Sequence, residues 1–399
     1  MPVGSPFHDR TLPLCESLNY REWAGYYAPS SYEPLHEHEY NAIRNGAALI
    51  DVSPLFKYIV SGADAAALVD RVITRDATKL GVGQVIYTPW CDEDGRVVDD
   101  GTVTRLAPDR FRWTAADPSG RWIERQADGL DAQIEDVSES LAALALQGPT
   151  SARVLRALSD ADIDGLRYFR VTAGAIAGRR VEISRTGYTG DLGYEIWMAR
   201  EDAGPVWDAL MQTGPAYGLK PTGLLALDVA RIEAGLLLTD VDFFSVRKAL
   251  TTSQIYTPFE MGLDRLVDAG KGPFLGRAAL AAERARGPRR RIVGLAVDWQ
   301  TIETLYDAVG LPPVAQATAS RVAVPVFVDG KQVGRLTSST WSPVLKQMIG
   351  LATLDAAHTA VGTRVEVEHT VDVVRHRAKA TVVATPFFNP KRKTATPAL

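Results

Sequence analysis

The stretch Ser184-Arg185-Thr186-Gly187-Tyr188-Thr189-Gly190-Asp191-Leu192-Gly193-Tyr194-Glu195-Ile196 constrains this chain more than any other. Three glycines recur at every third position, and the residues after them alternate apolar and polar. A phosphate loop needs Lys-Ser/Thr after its glycines, and a dinucleotide site opens a helix. Neither is present. The pattern predicts two strands, Arg180 to Arg185 and Gly193 to Met198, around a connection that turns sharply or lets backbone approach a ligand. In the second strand Tyr194, Ile196 and Met198 share one face, Glu195 and Trp197 the other. Glu195 then either faces solvent, as carboxylates usually do, or aims at a ligand with two adjacent N–H donors. A pterin or guanine edge is such a ligand, and the pair would be bidentate and charge-assisted.

A second acidic candidate lies upstream. Val85 to Cys91 and Arg96 to Thr104 read as strands joined at Asp94-Gly95, a hairpin turn in which Gly tolerates positive φ. Strict alternation puts Asp100 on a face with Val98, Thr102 and Thr104, and Asp99 with Val97 and Val103. Only one of the two acids can enter a given pocket. The plain alternative is a pair of charges guarding an edge strand. Leu219 to Ala234 reads as a helix, with Pro221 in its first turn and Gly235 past its end. Leu225, Val229 and Ile232 form its core stripe, and Asp228 and Arg231 can pair on another face as an ordinary surface ion pair. Glu33 to Asn45 reads as another helix. Its His36 and His38 do not share a face, and Asp240-Val241-Asp242 lacks a supporting motif, so no metal site is expected.

With 399 residues, the chain has room for two or three domains. Lys plus Arg number 44 and Asp plus Glu 48, a balance that gives no electrostatic case for nucleic acid. No apolar stretch approaches a membrane span, and no signal peptide is visible. The two cysteines, Cys15 and Cys91, suggest neither a metal knuckle nor a disulfide framework, so a cytoplasmic location is the simplest. Ala281 to Arg291, charged and broken by Gly-Pro, reads as a linker with a solvated Arg289 to Arg291 face. Short Val-rich runs after it, Ile292 to Val297, Val322 to Val328, Arg364 to Val367 and Ala380 to Val383, suggest a small β barrel or sandwich. The tail from Lys391 onward reads as loose.

Taken together, these stretches resemble the glycine-cleavage T-protein (aminomethyltransferase) family of tetrahydrofolate-dependent enzymes. The match is carried by Gly187 to Glu195, Val97-Val98-Asp99-Asp100, Leu146-Gln147-Gly148-Pro149 and Arg231-Ile232-Glu233-Ala234-Gly235. Phe274 to Leu280 and Ser338-Ser339-Thr340-Trp341-Ser342-Pro343 extend it, so that it covers roughly residues 20 to 388. The resemblance implies an α+β fold, a three-domain cloverleaf around a central folate hole. One α/β domain would be discontinuous (1–54 and 138–280). A second would span 55–137, with a linker at 281–291 and the C-terminal β barrel with its tail at 292–399. It implies Asp100 as catalytic acid near the reacting nitrogen. Glu195 would grip the pterin ring, with Tyr188, Arg231 and Thr114 also on the folate, and Pro54, Leu227 and Tyr87 on the substrate side.

Several positions depart from the family pattern. Pro54 stands where the family has His, Leu227 where it has Arg, Thr114 where a strand-end Asn is expected, and Arg265 where a Trp follows Met261-Gly262-Leu263. These changes favour a relative that takes a one-carbon group from a small O-, N- or S-methylated compound to N5 of tetrahydrofolate. The alternative partner is the family's lipoylated carrier protein. More distant is a folate-binding protein without turnover, since Lys271 to Arg277 lacks the Cys that marks that branch.

Overall fold

The computed structural model describes residues 1–395. Three larger sheets organise it. The first has six strands in the order Val171–Ile176, Arg179–Ser184, Gly193–Ala199, Leu141–Gln147, Ala47–Asp51 and Leu219–Pro221. The second has five, ordered Val85–Cys91, Val97–Ala107, Arg110–Ala115, Phe56–Ser61 and Gln133–Asp136. The third is a closed six-stranded barrel of Arg290–Val297, Gln347–Asp355, Lys331–Ser342, Val324–Val328, Arg364–Val371 and Val374–Val383. A short N-terminal sheet (Val3–Gly4, Tyr26–Ser31, Asn19–Trp23) completes the set. Closure removes the barrel's edges, and Leu295, Val326, Leu354 and Val382 fill its interior.

The Gly-rich connection is shaped by one side chain. Gln147 inserts between Gly187 and Gly193: its amide nitrogen donates to the Thr186 and Tyr194 carbonyls, both at 3.2 Å, and its oxygen accepts from Thr189 Oγ1 at 2.8 Å. A Cβ at Gly187 or Gly193 would lie 2.0 or 2.2 Å from Gln147 Oε1. These two glycines therefore admit Gln147 rather than a ligand. Gly193→Ala is expected to destabilise the protein by roughly 1–3 kcal/mol, the usual penalty of overpacking, read as a lower urea midpoint. An unchanged midpoint would show that Gln147 yields freely.

Several sequence expectations are corrected. Leu219 to Ala234 is not one helix. Leu219–Pro221 pairs in parallel with Ala47–Leu49 at the sheet edge, where a proline's missing N–H costs nothing. The helix proper is Leu224–Glu233, after an extended Gly223. The helix expected from Glu33 begins at Glu37, because Glu39 Oε1 accepts the Tyr32 and Glu33 amides and holds that segment in a turn. Val97–Ala107 lies between two strands, so Asp99 and Asp100 do not guard an edge. A register shift beside Trp90 and Cys91 breaks the alternation, and Val98 packs in the same core as Val103. Asp100 therefore shares a face with Thr102 and Thr104 but not with Val98.

The stretch 281–291 is mostly regular. Residues 281–286 end the helix Arg277–Arg286, whose Ala-rich composition favours it, and the barrel begins at Arg290. Arg290 is not a solvated charge. It donates to Glu260 at 3.2 Å and lies 4.0 Å above the Tyr256 ring. Arg291 is bidentate on Asp264 at 2.7 and 2.9 Å. The beginning of the tail is docked rather than loose: Lys391–Lys393 forms a helical turn, and Arg392 is bidentate on Asp191 at 2.6 and 2.8 Å. Residues 396–399 lie outside the described residues. Among the described residues no helix is long and apolar enough to cross a membrane, and no group of three His, Cys, Asp or Glu could hold a metal.

Candidate active site

The five-stranded sheet supplies the acidic half. Pro89 pairs with Asp100 and Tyr87 with Thr102 across neighbouring strands, so Tyr87 stands beside Asp100 and its hydroxyl donates to Asp100 Oδ2. Asp99 points the other way. Its two oxygens accept the backbone amides of Asp100 at 2.8 Å and Asp117 at 3.0 Å. Burial pushes the Asp100 carboxyl up to about 6, although the Tyr87 hydroxyl favours its anion. Asp99 is raised as well, by burial and then by the charge of Asp100. The two acids titrate as a pair, and burial is the dominant cause for both.

The face that holds Asp100 continues onto the next strand. Thr114 Oγ1 meets Thr102 Oγ1 at 2.6 Å, and Arg112 pairs directly opposite Thr104. Arg112 then crosses to the six-stranded sheet, donating to Glu182 at 2.5 Å and lying 4.2 Å above the Trp197 ring. Trp197 shares its strand face with Glu195. The surfaces bearing Asp100 and Glu195 therefore face each other, with Arg112 between the sheets.

Glu195 is half-buried, with Thr186 Oγ1 donating to its Oε2 at 2.8 Å. Among the described residues no cationic nitrogen lies within 4 Å of it, since Arg112 is engaged by Glu182. Burial raises its carboxyl, opposed first by the Thr186 hydroxyl and then by the Arg112 charge. The solvent-facing reading of Glu195 is thus replaced by a carboxylate held by hydroxyls and still in need of strong donors. The expected partition of the strand holds: Tyr194, Ile196 and Met198 enter one core, while Trp197 enters another.

Tyr188 projects from the Gly-rich loop and donates its hydroxyl to the Leu237 carbonyl. Burial raises its phenol, and it lies within electrostatic reach of Arg231, Asp242, Asp100 and Asp228. Tyr87 feels Asp100 and Tyr188. Asp100, Tyr87 and Tyr188 thus form one group. Leu227, buried, packs in a single apolar cluster with Tyr188, Val52, Leu55 and Trp197. Pro54 is buried in the neighbouring turn 53–55. Lys57 holds that turn, donating to the Ser53 carbonyl at 2.6 Å and the Leu55 carbonyl at 2.8 Å. Burial lowers this ammonium to about 8.

Arg231 and Asp228 are not a surface pair. Arg231 is fully buried, with Nη1 on Asp242 at 2.6 Å and Nη2 on Ser338 Oγ at 2.9 Å. Its Nε, 3.8 Å from Asp228, has no hydrogen-bond partner among the described residues. Asp228 is gripped by Arg321 of the barrel segment at 2.7 Å and by Arg21 at 3.2 Å. The sequence reading passed over Lys57, Arg112 and Arg321. Lys57 had a signal, a lone cation inside an apolar strand, and Arg112 a weaker one, flanked by Phe111 and Trp113 but sharing its strand with Arg110. Arg321, on an irregular connection, had none.

The donor set suits a flat, polar heterocycle. The half-buried Glu195 carboxylate, without a cationic partner among the described residues, matches the N–H donors on a ligand such as tetrahydrofolate.

Comparison with known proteins agrees with this architecture. Residues 17–271 match the model for the GCVT N-terminal domain, and residues 307–389 match the glycine cleavage T-protein C-terminal barrel domain. The aminomethyltransferase of Geobacillus thermodenitrificans is 36% identical over 92% of this chain and 93% of its own length. The trimethylamine-oxide aldolase of Ruegeria pomeroyi is 36% identical over 98% of this chain, which spans only 48% of that longer relative. The crystal structure of glycine cleavage system aminomethyltransferase T from Bartonella henselae superposes with a TM-score of 0.81 at 25% identity, covering 98% of this chain and 99% of that one. With both domain models matched in order and relatives aligned along nearly its whole length, the chain belongs to the glycine cleavage T-protein family.

Proposed function

We propose that the protein is a tetrahydrofolate-dependent one-carbon transferase that takes a methyl-level group from a small O-, N- or S-methylated compound. The observation that carries this reading is the pairing of a half-buried, Tyr87-bound Asp100 with a half-buried Glu195 on the facing sheet, beside an apolar wall at Leu227. Tetrahydrofolate, when bound, supplies the N5 nucleophile. Glu195 accepts from the N–H edge of the pterin and fixes its orientation, and Tyr188, Arg231 and Thr114 bound the same space. Holding two reactants in place removes a large part of the barrier by itself. Asp100, raised to about 6, holds its proton only below that pH; near neutral pH it is mostly the anion, which stabilises positive charge on the reacting carbon and nitrogen. Tyr87 keeps that carboxyl aimed.

The substrate side lacks the family's His and Arg. Pro54 and Leu227 offer an apolar surface suited to methyl groups and to the exclusion of water. The name of the Ruegeria relative points to a small N-methylated compound as the first to try. The test incubates the protein with tetrahydrofolate and, separately, trimethylamine oxide, a methylamine, a methoxyaromatic and a methylthio compound. Folate-bound one-carbon product from any of them supports the proposal. Ammonia released only from an aminomethyl-lipoyl carrier would support the second reading, a true aminomethyltransferase, which the Geobacillus relative favours. Glu195→Ala is expected to weaken tetrahydrofolate binding by about tenfold or more, as loss of a charge-assisted pair implies. Unchanged affinity in a fluorescence titration would remove Glu195 from the folate site.

A further inference from the structure

Where the turn Asp264–Leu266 packs on the strand Val85–Cys91, a cavity of about 420 Å³ is lined by Arg75, Lys79, Arg265 and Arg284, with Asp76, Asp264 and Asp268. Its acids are already matched. Lys79 bridges Asp76 at 2.8 Å and Asp268 at 3.3 Å, and Arg291 takes Asp264 at 2.7 Å. Arg284 donates to backbone, reaching the Val267 carbonyl at 2.8 Å. Among the described residues Arg75 and Arg265 have neither an ion pair nor a side-chain hydrogen bond. Each lies within electrostatic reach of the other, and Arg75 is half-buried. Lys393 of the docked tail, also half-buried, feels the same Arg265 charge and has no ion pair among the described residues. Counting Arg291, five cations face three acids, an excess of two positive charges in a chain of net charge −4.

Like charges gathered in one cleft repel each other unless something neutralises them. We infer that this cleft is a binding site for a small polyanion bearing carboxylate or phosphate groups, with Arg75 and Arg265 as its two guanidinium arms and Lys393 at its rim. The planar forks of two arginines suit oxyanions, whose oxygens accept paired N–H bonds. The binding test does not depend on turnover.

The experiment titrates the full-length protein calorimetrically with inorganic phosphate and, separately, with tri-γ-glutamate. Saturable binding of at least one anion is expected, weakening as salt rises. Arg265→Gln should reduce affinity about tenfold, and Arg265→Lys should recover only part of the loss, since the charge survives while the fork is lost. Arg265 is exposed, so its variants should fold, and Arg75→Gln serves as the second probe. Preference for tri-γ-glutamate would name a carboxylate chain as the ligand, and preference for phosphate a phosphate-bearing one. No saturable binding of either below about 10 mM, or wild-type affinity in both Gln variants, would overturn the site.

Discussion

Asp100→Asn is expected to lower turnover by roughly 10²- to 10⁴-fold, the range for loss of a positioned acid–base group, while tetrahydrofolate binding stays within a few-fold. Asn keeps the shape and can still accept from Tyr87, but it carries neither a proton to give nor a charge to stabilise a cation. A KM and kcat split on the identified substrate, together with a folate titration, separates the two effects. If turnover survives, Asp100 has no part in the chemistry. The same substitution has a second signature. The folded carboxyl lies near 6, above its unfolded value, so the native state holds the proton more tightly. Its contribution to stability is complete below about 3.9 and is lost as pH rises through about 6. Asn has no such titration, and without the neighbouring charge Asp99 is relieved as well. The variant should gain on wild type between pH 5 and pH 7 by on the order of 1 kcal/mol, measured by urea unfolding at each pH. A difference that does not change with pH would mean that Asp100 is not buried as described.

Arg44→Met is expected to be the most destabilising single change away from the site, costing about 3–5 kcal/mol. Arg44 joins four parts of the chain. It donates to Glu233 Oε2 from Nε at 2.9 Å and from Nη2 at 2.6 Å, and to the Ala230 carbonyl at 3.2 Å. It also reaches the Thr189 carbonyl at 3.0 Å and Asp191 at 3.3 Å, and it lies 4.8 Å from the Phe388 ring centroid. Its partners are buried, with the Glu233 and Asp191 side chains at 0% exposure, so removing the guanidinium leaves charge in a poor dielectric. Tyr40 and Ser342 still donate to Glu233 at 2.6 Å, and Arg392 still holds Asp191, which places the cost toward the lower end of the range. Adding Glu233→Gln to Arg44→Met should recover part of the loss, because the orphaned charge is gone. A single variant within about 1 kcal/mol of wild type would show that apolar packing alone joins the helix Glu37–Asn45 to the loop.

Arg44 also marks where reading the sequence stops. A cation near the end of a helix is expected to stay in water, and nothing local announces that it holds a glutamate 189 positions away. What the sequence could show was periodic or chemically singular. The alternation in Gly193–Ala199 put Glu195 beside Trp197. The Val-rich runs foretold the barrel, and the glycine spacing excluded a nucleotide cradle. The misreadings fell where a local pattern met a distant partner. Pro221 found a strand at the sheet edge, Val98 was displaced by a register shift, and Arg290 met Glu260 and Tyr256.

The order and chemistry of the motifs were therefore set by the amino-acid sequence alone, because backbone periodicity and residue type are local properties. Which acid of Asp99-Asp100 turns to Tyr87, that Arg112 brings the Glu195 surface against the Asp100 surface, and that Arg75 and Arg265 share a cleft with no side-chain partner among the described residues were decided only by tertiary structure. Burial and long-range pairing set those charges, and they arise only when segments far apart in sequence close on one another.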